Sequence, residues 1–257
     1  MADVVAVVAG EEDDGVVREA EFVEPRKQPA DVTVDRNLGR LLAKLDELKL
    51  ADNTIVLYTS DNGYNVGHHG IHGKGNGNWI AGGVGGPKRP NMFEESVRLP
   101  LLVRWPAVVK PGTRIEHHVS NVDTFASVLG MLNVAPPSDY KQHGRDFSPL
   151  LRGETISDWP DEVFAQYDLH NSGLAFMRMI RTDEWKLVRH HMSKGANELY
   201  NLKNDPGETR NRYHDKKVAD TRDALQARLT KWQESIDDPV LKLDANRAIE
   251  SGPPVGQ

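Results

Sequence analysis

Residues 54–63 read TIVLYTSDNG. The first six are continuously apolar or β-branched, without the alternation of a strand that keeps one face in water. Such a run predicts a strand buried on both faces, hence parallel and inside a layered α/β sheet. Ser60-Asp61-Asn62-Gly63 then sits at its carboxyl end, where open α/β sheets bind ligands. Upstream, VDRNLGRLLAKLDELKL (34–50) keeps helical spacing in Leu38, Leu41, Leu42, Leu45 and Leu48, with Arg40, Lys44 and Glu47 opposite. Asp31 or Thr33 is suited to cap that helix, and Asp52-Asn53 forms a turn after it. Residues 4–9 (VVAVVA) have strand length and composition.

Downstream, LLVR (101–104) predicts a second buried strand, closed by Trp105-Pro106. VSNVDTFASVLGML (119–132) predicts a helix capped by Ser120 or Asn121, with Phe125, Val128, Leu129 and Leu132 inward. From Ser157 the pattern changes. Residues 174–181, 185–190 and 198–202 alternate like antiparallel strands, Asp205-Pro206-Gly207 reads as a turn, and 216–235 as a charged amphipathic helix. The expected fold is α/β. Residues 32–156 form part of a layered mixed sheet with flanking helices, and 157–240 a small α+β subdomain with an antiparallel sheet and one helix. An irregular segment with one strand (1–31) precedes them, and a disordered tail (241–257) follows.

The 257 residues are 38% hydrophobic and 27% charged, enough to build a buried core. A formal charge of −6 with 10 histidines argues against nucleic acid as partner, and no apolar run is long enough to cross a membrane. The first fifteen residues lack a basic stretch, so no signal peptide is expected, and localisation stays unassigned. There is no cysteine, which removes disulfides, zinc–thiolate sites and thiol nucleophiles together.

Between Ser60 and Asn91 glycines recur without helix or strand period, the mark of a functional or disordered loop. Asp61 and Asn62 offer hard oxygens suited to calcium or magnesium, although Asp-Asn-Gly is also an ordinary turn sequence. His68, His69 and His72 follow, with Lys74 between glycines that let backbone approach an anion. The loop is either an anion site or a solvated connection, and Lys88-Arg89 at its far end is the competing anion anchor. Met92-Phe93-Glu94-Glu95-Ser96 with Arg98 reads as a structural brace.

Taken together, DRNLGRLLAKLDELKLADNTIVLYTSDNG, HHGIHGK, MFEESVRLPLLVRWPAVVKPGT and VSNVDTFASVLGML resemble the sulfatases of the alkaline-phosphatase-like superfamily. The segment MIRTDEWKLVRHH…NELYNLKNDPGE resembles the small C-terminal domain of the same enzymes. The resemblance implies a calcium-dependent sulfuric-ester hydrolase acting on a sulfate ester of unassigned leaving group. It implies Asp61 and Asn62 as the downstream pair of calcium ligands, His69 as the histidine beside the sulfate, and Lys74 as the lysine on the sulfate and leaving-group oxygens. His68 and His72 are substrate-binding candidates. The insertion 75–88 keeps Lys88 as the alternative to Lys74. Asn62, in place of a histidine after Asp61, favours calcium over the two-zinc centre of related phosphodiesterases.

The chain also departs from the family. Sulfatases convert the Cys or Ser of a Cys/Ser-x-Pro-x-Arg motif to formylglycine. No such motif occurs in these residues, so the formylglycine is absent. The expectation is a C-terminal portion or truncated form that is inactive alone, or a non-catalytic anion-binding relic. It would self-associate or pair with a complementary N-terminal half. Residues 4–9 with Glu11, Glu12, Asp13 and Asp14 imitate the family's opening strand and acidic ligands; Asp13 and Asp14 either complete a calcium shell or form a solvated charge run.

Overall fold

The computed structural model describes residues 2–5, 29–75, 90–160, 162–170, 173–191 and 196–242. Asp13, Asp14, Lys88 and the tail from residue 243 lie outside these described residues.

The chain builds β1 (Ala2–Val5), α1 (Pro29–Glu47), β2 (Val56–Tyr58), α2 (Glu94–Val97), β3 (Leu99–Arg104), β4 (Arg114–Val119), α3 (Asp123–Leu132) and α4 (Ser148–Leu151). It continues with β5 (Glu162–His170), β6 (Gly173–Thr182), β7 (Trp185–His190), β8 (Glu198–Asn201) and α5 (Ala219–Ser235). The strands form two four-stranded sheets, β2-β3-β1-β4 and β5-β6-β7-β8. The first is mixed, with β1 parallel to β3 and antiparallel to β4. The second is an antiparallel meander. No helix among the described residues is long and apolar enough to cross a membrane.

Three expectations need correction. The strand after α1 does not lie parallel within the sheet. β2 is antiparallel to β3, pairing Val56 with Arg104 and Tyr58 with Leu102, at the edge of the described sheet and half-buried throughout. An unbroken apolar run reports double-sided contact and carries no information on strand direction. β1 lies on the far side of β3 from β2.

α1 begins at Pro29, so Asp31 and Thr33 lie inside it. A proline there fixes φ at no cost in hydrogen bonds, because the first helical amides are unpaired anyway. α3 is rotated from the expected orientation. Its buried residues are Asp123, Ala126, Ser127 and Met131, while Phe125 and Leu132 are 46% and 59% exposed. Polar anchors set that rotation. The Asp123 carboxylate accepts from the Ser120 and Arg145 amides at 2.8 and 2.7 Å. Ser127 Oγ donates to Asp123 O and accepts from Phe147 N.

The first core joins Leu99, Leu101, Val103 and Val119 of the sheet to Met131, Phe147 and Leu150. The second packs Leu225 and Leu229 of α5 on Ile180, Leu187 and Leu199, with Phe164 stacked on Trp232. Between the two, Met92 packs with Met177, Met179 and Val188, and Phe93 with Ile71, Tyr200 and Leu202. The segment entering α2 therefore plugs one sheet onto the other. Two strands of this scaffold, β4 and β5, are not among the expected elements.

Candidate functional site

The turn after β2 is held from three sides. Ser60 Oγ donates to Asn62 O at 2.8 Å, and Asn121 Nδ2 donates to Ser60 O at 3.1 Å. Gly63 N donates to Ser96 O at 3.0 Å. Gly63 must be glycine at this approach, because a Cβ there would lie 2.1 Å from Glu95 O. Fully buried Asn65 closes the following loop by donating from Nδ2 to Gly73 O and Ser96 Oγ, at 3.0 and 2.8 Å. That closure returns Lys74 to the Asp61 turn, where its Nζ donates to Asn62 Oδ1 at 3.2 Å.

Asp61, Asn62 and Lys74 thus share one wall of a cleft of about 340 Å³, with Ser120 and Asn121 beside them. Residues 163–167 of β5, including Gln166 and Tyr167, form the facing wall. A larger recess of about 550 Å³ adjoins across the same strand and carries none of the expected site residues.

The three histidines are not on this lining. His69 has φ +53°, a left-handed backbone conformation that costs a non-glycine residue energy. Its ring stacks on Phe93 with centroids 3.7 Å apart and planes 5° from parallel. Its Nε2 lies 3.7 Å from Glu95 Oε2, and His68 Nδ1 lies 3.2 Å from Glu95 Oε1. Burial holds the His69 imidazole below its ordinary value, against the opposing pull of Glu95. His72 is exposed. The structure brings Asp61, Asn62 and Lys74 together and sets His68 and His69 behind them, on the carboxylate of α2.

The brace expected around Glu94 is present, but its partners come from the second sheet. Glu94 meets Arg181 at 3.2 Å and fully buried Lys186 at 2.8 Å. Lys186 also meets Glu208 at 2.6 Å and donates to Met92 O at 2.9 Å. The Glu94 amide donates to Glu208 Oε2 at 2.6 Å. Burial works to raise the Glu94 carboxyl, but Lys186 and Arg181 outweigh it and hold it down at about 2. Glu208 is different. Burial outweighs Lys186 and pushes its carboxyl up to about 7. Sequence reasoning missed Asn65, Asn121, Gln166, Lys186 and Glu208. Lys186 and Glu208 lie inside the segment that resembles the C-terminal domain, but the contacts that give them and Asn121 a role, such as Lys186 with Glu94 and Asn121 with Ser60, are distant in sequence.

Residues 87–235 match the family described as "N-sulphoglucosamine sulphohydrolase, C-terminal", and residues 32–134 match the family described as "Sulfatase". An N-acetylglucosamine-6-O-sulfatase of Bacteroides thetaiotaomicron is 31% identical over 211 residues, which is 80% of this chain and 35% of that protein. A steryl-sulfatase of Rattus norvegicus is 35% identical over 153 residues, 60% of this chain and 26% of that protein. The chain therefore spans about a third or less of the length of these relatives. A solved structure of a protein in complex with its substrate D-glucosamine-2-N,6-O-disulfate superposes with a TM-score of 0.70 at 30% identity, covering 82% of this chain and 41% of that one.

Proposed function

The chain belongs to the sulfatase family of the alkaline-phosphatase-like superfamily, and from that premise we propose that the cleft at Asp61, Asn62 and Lys74 holds the metal-and-anion side of a sulfuric-ester hydrolase. The observation that carries this reading is the convergence of a carboxylate, an amide oxygen and a lysine ammonium on one cleft wall at a strand end.

Calcium fits the donors present. Asp61 and Asn62 are hard oxygen ligands, and Asn62 Oδ1 is already turned toward a positive group, the Lys74 ammonium. Asp61 and Asn62 would hold the ion, which when bound supplies Lewis-acid polarisation of the sulfate. Lys74 binds the anion as a compact positive charge and offsets charge developing on the leaving-group oxygen. Residues 163–167 of β5 face that position and contact the leaving group. His69 acts behind the cleft as a positioning residue, fixing the loop that returns Lys74. A formylglycine does not fit these residues, which hold neither Cys nor a Ser-x-Pro-x-Arg sequence.

The missing motif supports a second reading alongside the first: taken alone, these residues bind an anion without cleaving its ester. The chain, supplied with calcium and an aryl sulfate, is expected to show no turnover, and turnover abolished by Asp61→Ala would overturn that. Calorimetry is expected to give feeble calcium binding, on the order of millimolar, because two residues supply few of the six to eight oxygens calcium takes. Asp61→Asn should abolish the signal. Tight binding, lost in Asp61→Asn and also in the Asp13→Asn/Asp14→Asn double variant, would mean that the acidic N-terminal run completes the shell.

A further inference from the structure

Behind the cleft, side chains from three separate segments converge. His69 comes from the tight turn after β2, Glu95 from α2, and Glu208 from the turn that follows β8. Each offers one ligand atom, and these atoms lie within 4.8 Å of one another.

One donor is buried, two are half-buried, and one carboxylate oxygen is under-satisfied. Glu208 is 3% exposed, and Glu95 Oε2 is buried without a hydrogen-bond donor among the described residues. A buried carboxylate oxygen lacking a donor carries a desolvation cost that a cation removes. Glu94, Glu95 and Glu208 supply three carboxyl groups around the two fixed cations Arg181 and Lys186. The geometry is also fixed in advance. The His69 ring is clamped by its stack on Phe93, and both His69 and Glu208 hold left-handed backbone conformations, at φ +53° and +50°. Strain of this kind persists only where surrounding contacts enforce it.

We propose that His69 Nε2, Glu95 and Glu208 form a binding site for a borderline divalent cation, with zinc the best match, separate from the Asp61–Asn62 position. One imidazole nitrogen with two carboxylate oxygens is a mixed donor set that zinc accepts and calcium does not prefer. Zinc bonds of about 2.1 Å place neighbouring ligands of a tetrahedron roughly 3.4 Å apart. His69 Nε2 and Glu95 Oε2 stand 3.7 Å apart, so the pair closes on an ion with little movement. Glu208 completes the set by sharing its carboxylate between the ion and Lys186. His68, 3.2 Å from Glu95 Oε1, orients the ligand carboxylate from outside, as second partners of metal ligands commonly do. Such an ion ties the Lys74 loop, α2 and the second sheet at one point, and thereby sets how the two cleft walls face each other.

The test is zinc titration of the chelator-stripped full chain, in competition with a chromophoric chelator. One equivalent is expected to bind. Glu95→Gln and His69→Gln should each weaken it at least roughly tenfold, while Asp61→Asn leaves it unchanged. A second measurement needs no variant: cobalt added to the wild-type chain should give the visible absorption of a low-symmetry N/O site, and should broaden the proton resonances of Phe93. Failure to bind zinc up to about 1 mM overturns the proposal. So does zinc binding that is indifferent to both variants, or cobalt broadening centred on Asp61.

Discussion

Replacing Lys186 by methionine isolates the contact that joins the two sheets. The ammonium is fully buried and lies 2.8 Å from Glu94 Oε1, 2.6 Å from Glu208 Oε1 and 2.9 Å from Met92 O. Methionine fills nearly the same volume, so packing changes little and the loss is electrostatic. Removing one member of a buried ion pair costs about 3–5 kcal/mol, because the other is left uncompensated. Here two carboxylates lose their partner, but each has relief. Glu94 keeps Arg181 at 3.2 Å, and Glu208 can take a proton. The expected deficit near neutral pH is therefore the low end, about 3 kcal/mol.

Its pH dependence has a definite sign. The Glu208 carboxyl in the folded chain stands at about 7, above its ordinary value, so its contribution to stability falls as pH rises and levels off once the folded chain has lost that proton. In Lys186→Met the proton is held to still higher pH. The variant should go on losing up to about 1.4 kcal/mol per pH unit where the wild type has levelled off. Urea unfolding followed by tryptophan fluorescence, at pH 6, 7 and 8 with chelator present, measures both quantities. The Lys186→Met/Glu208→Gln double variant should lose the extra pH dependence. A deficit below about 1 kcal/mol that stays flat from pH 6 to 8 would refute the reasoning.

Three further outcomes follow from the same contacts. Glu94 and Asp238 are both held down at about 2, Asp238 by Arg178 against its burial, so the stability each contributes is present above the ordinary carboxylate range and is lost as pH falls from about 4 toward 2. An acid titration followed by circular dichroism should show a smaller loss in Asp238→Asn. Gly63→Ala places a Cβ 2.1 Å from a backbone oxygen that cannot swing aside, and should cost about 1–3 kcal/mol in urea unfolding and displace Asp61 and Asn62; a neutral outcome contradicts the pinned turn. Val34, Leu41 and Leu48 on or beside α1 are about half exposed, as are Phe125 and Leu132 on α3, so light scattering should show self-association, reduced in Leu41→Glu/Phe125→Lys, and a sharp monomer peak with one cooperative melt would contradict this.

What could be read from sequence was local. Asp61 and Asn62 stand next to each other at a strand end, which sequence alone places, whereas Lys74 lies well beyond that strand and reaches Asn62 through the loop that Asn65 closes. The change of pattern near residue 157 was legible because an antiparallel meander writes its period into consecutive segments. The orientation of β2 was not, since an unbroken apolar run reads the same for either strand direction, and half-buried β2 lies at the edge of the described sheet. Nor was the rotation of α3, where Asp123 and Ser127 outweigh the apolar residues Phe125 and Leu132. β5 went unassigned although Ala165, Tyr167 and Leu169 alternate with polar Gln166 and Asp168, and with it went the cleft lining it supplies. The Lys186 network could not be seen at all: its bonds to Met92 and between Glu94 and Glu208 join residues 94 and 114 positions apart.

These long-range bonds bear on the site itself. The turn that carries Asp61 and Asn62 belongs to the first sheet, whereas the facing wall is β5 of the second. The turn rests on α2 through Gly63 and Ser96, and α2 is in turn gripped by Arg181, Lys186 and Glu208. The width of the cleft therefore depends on a buried charge cluster whose ion pairs join Glu94 to Arg181 and Lys186, and Lys186 to Glu208, rather than reaching Asp61, Asn62 or Lys74. A substitution there changes the distance between Lys74 and β5 before it changes any group on the lining. Loss of anion affinity with Asp61, Asn62 and Lys74 intact is accordingly the functional signature of a defect in the cluster, and it separates such a defect from damage to the site's own chemistry.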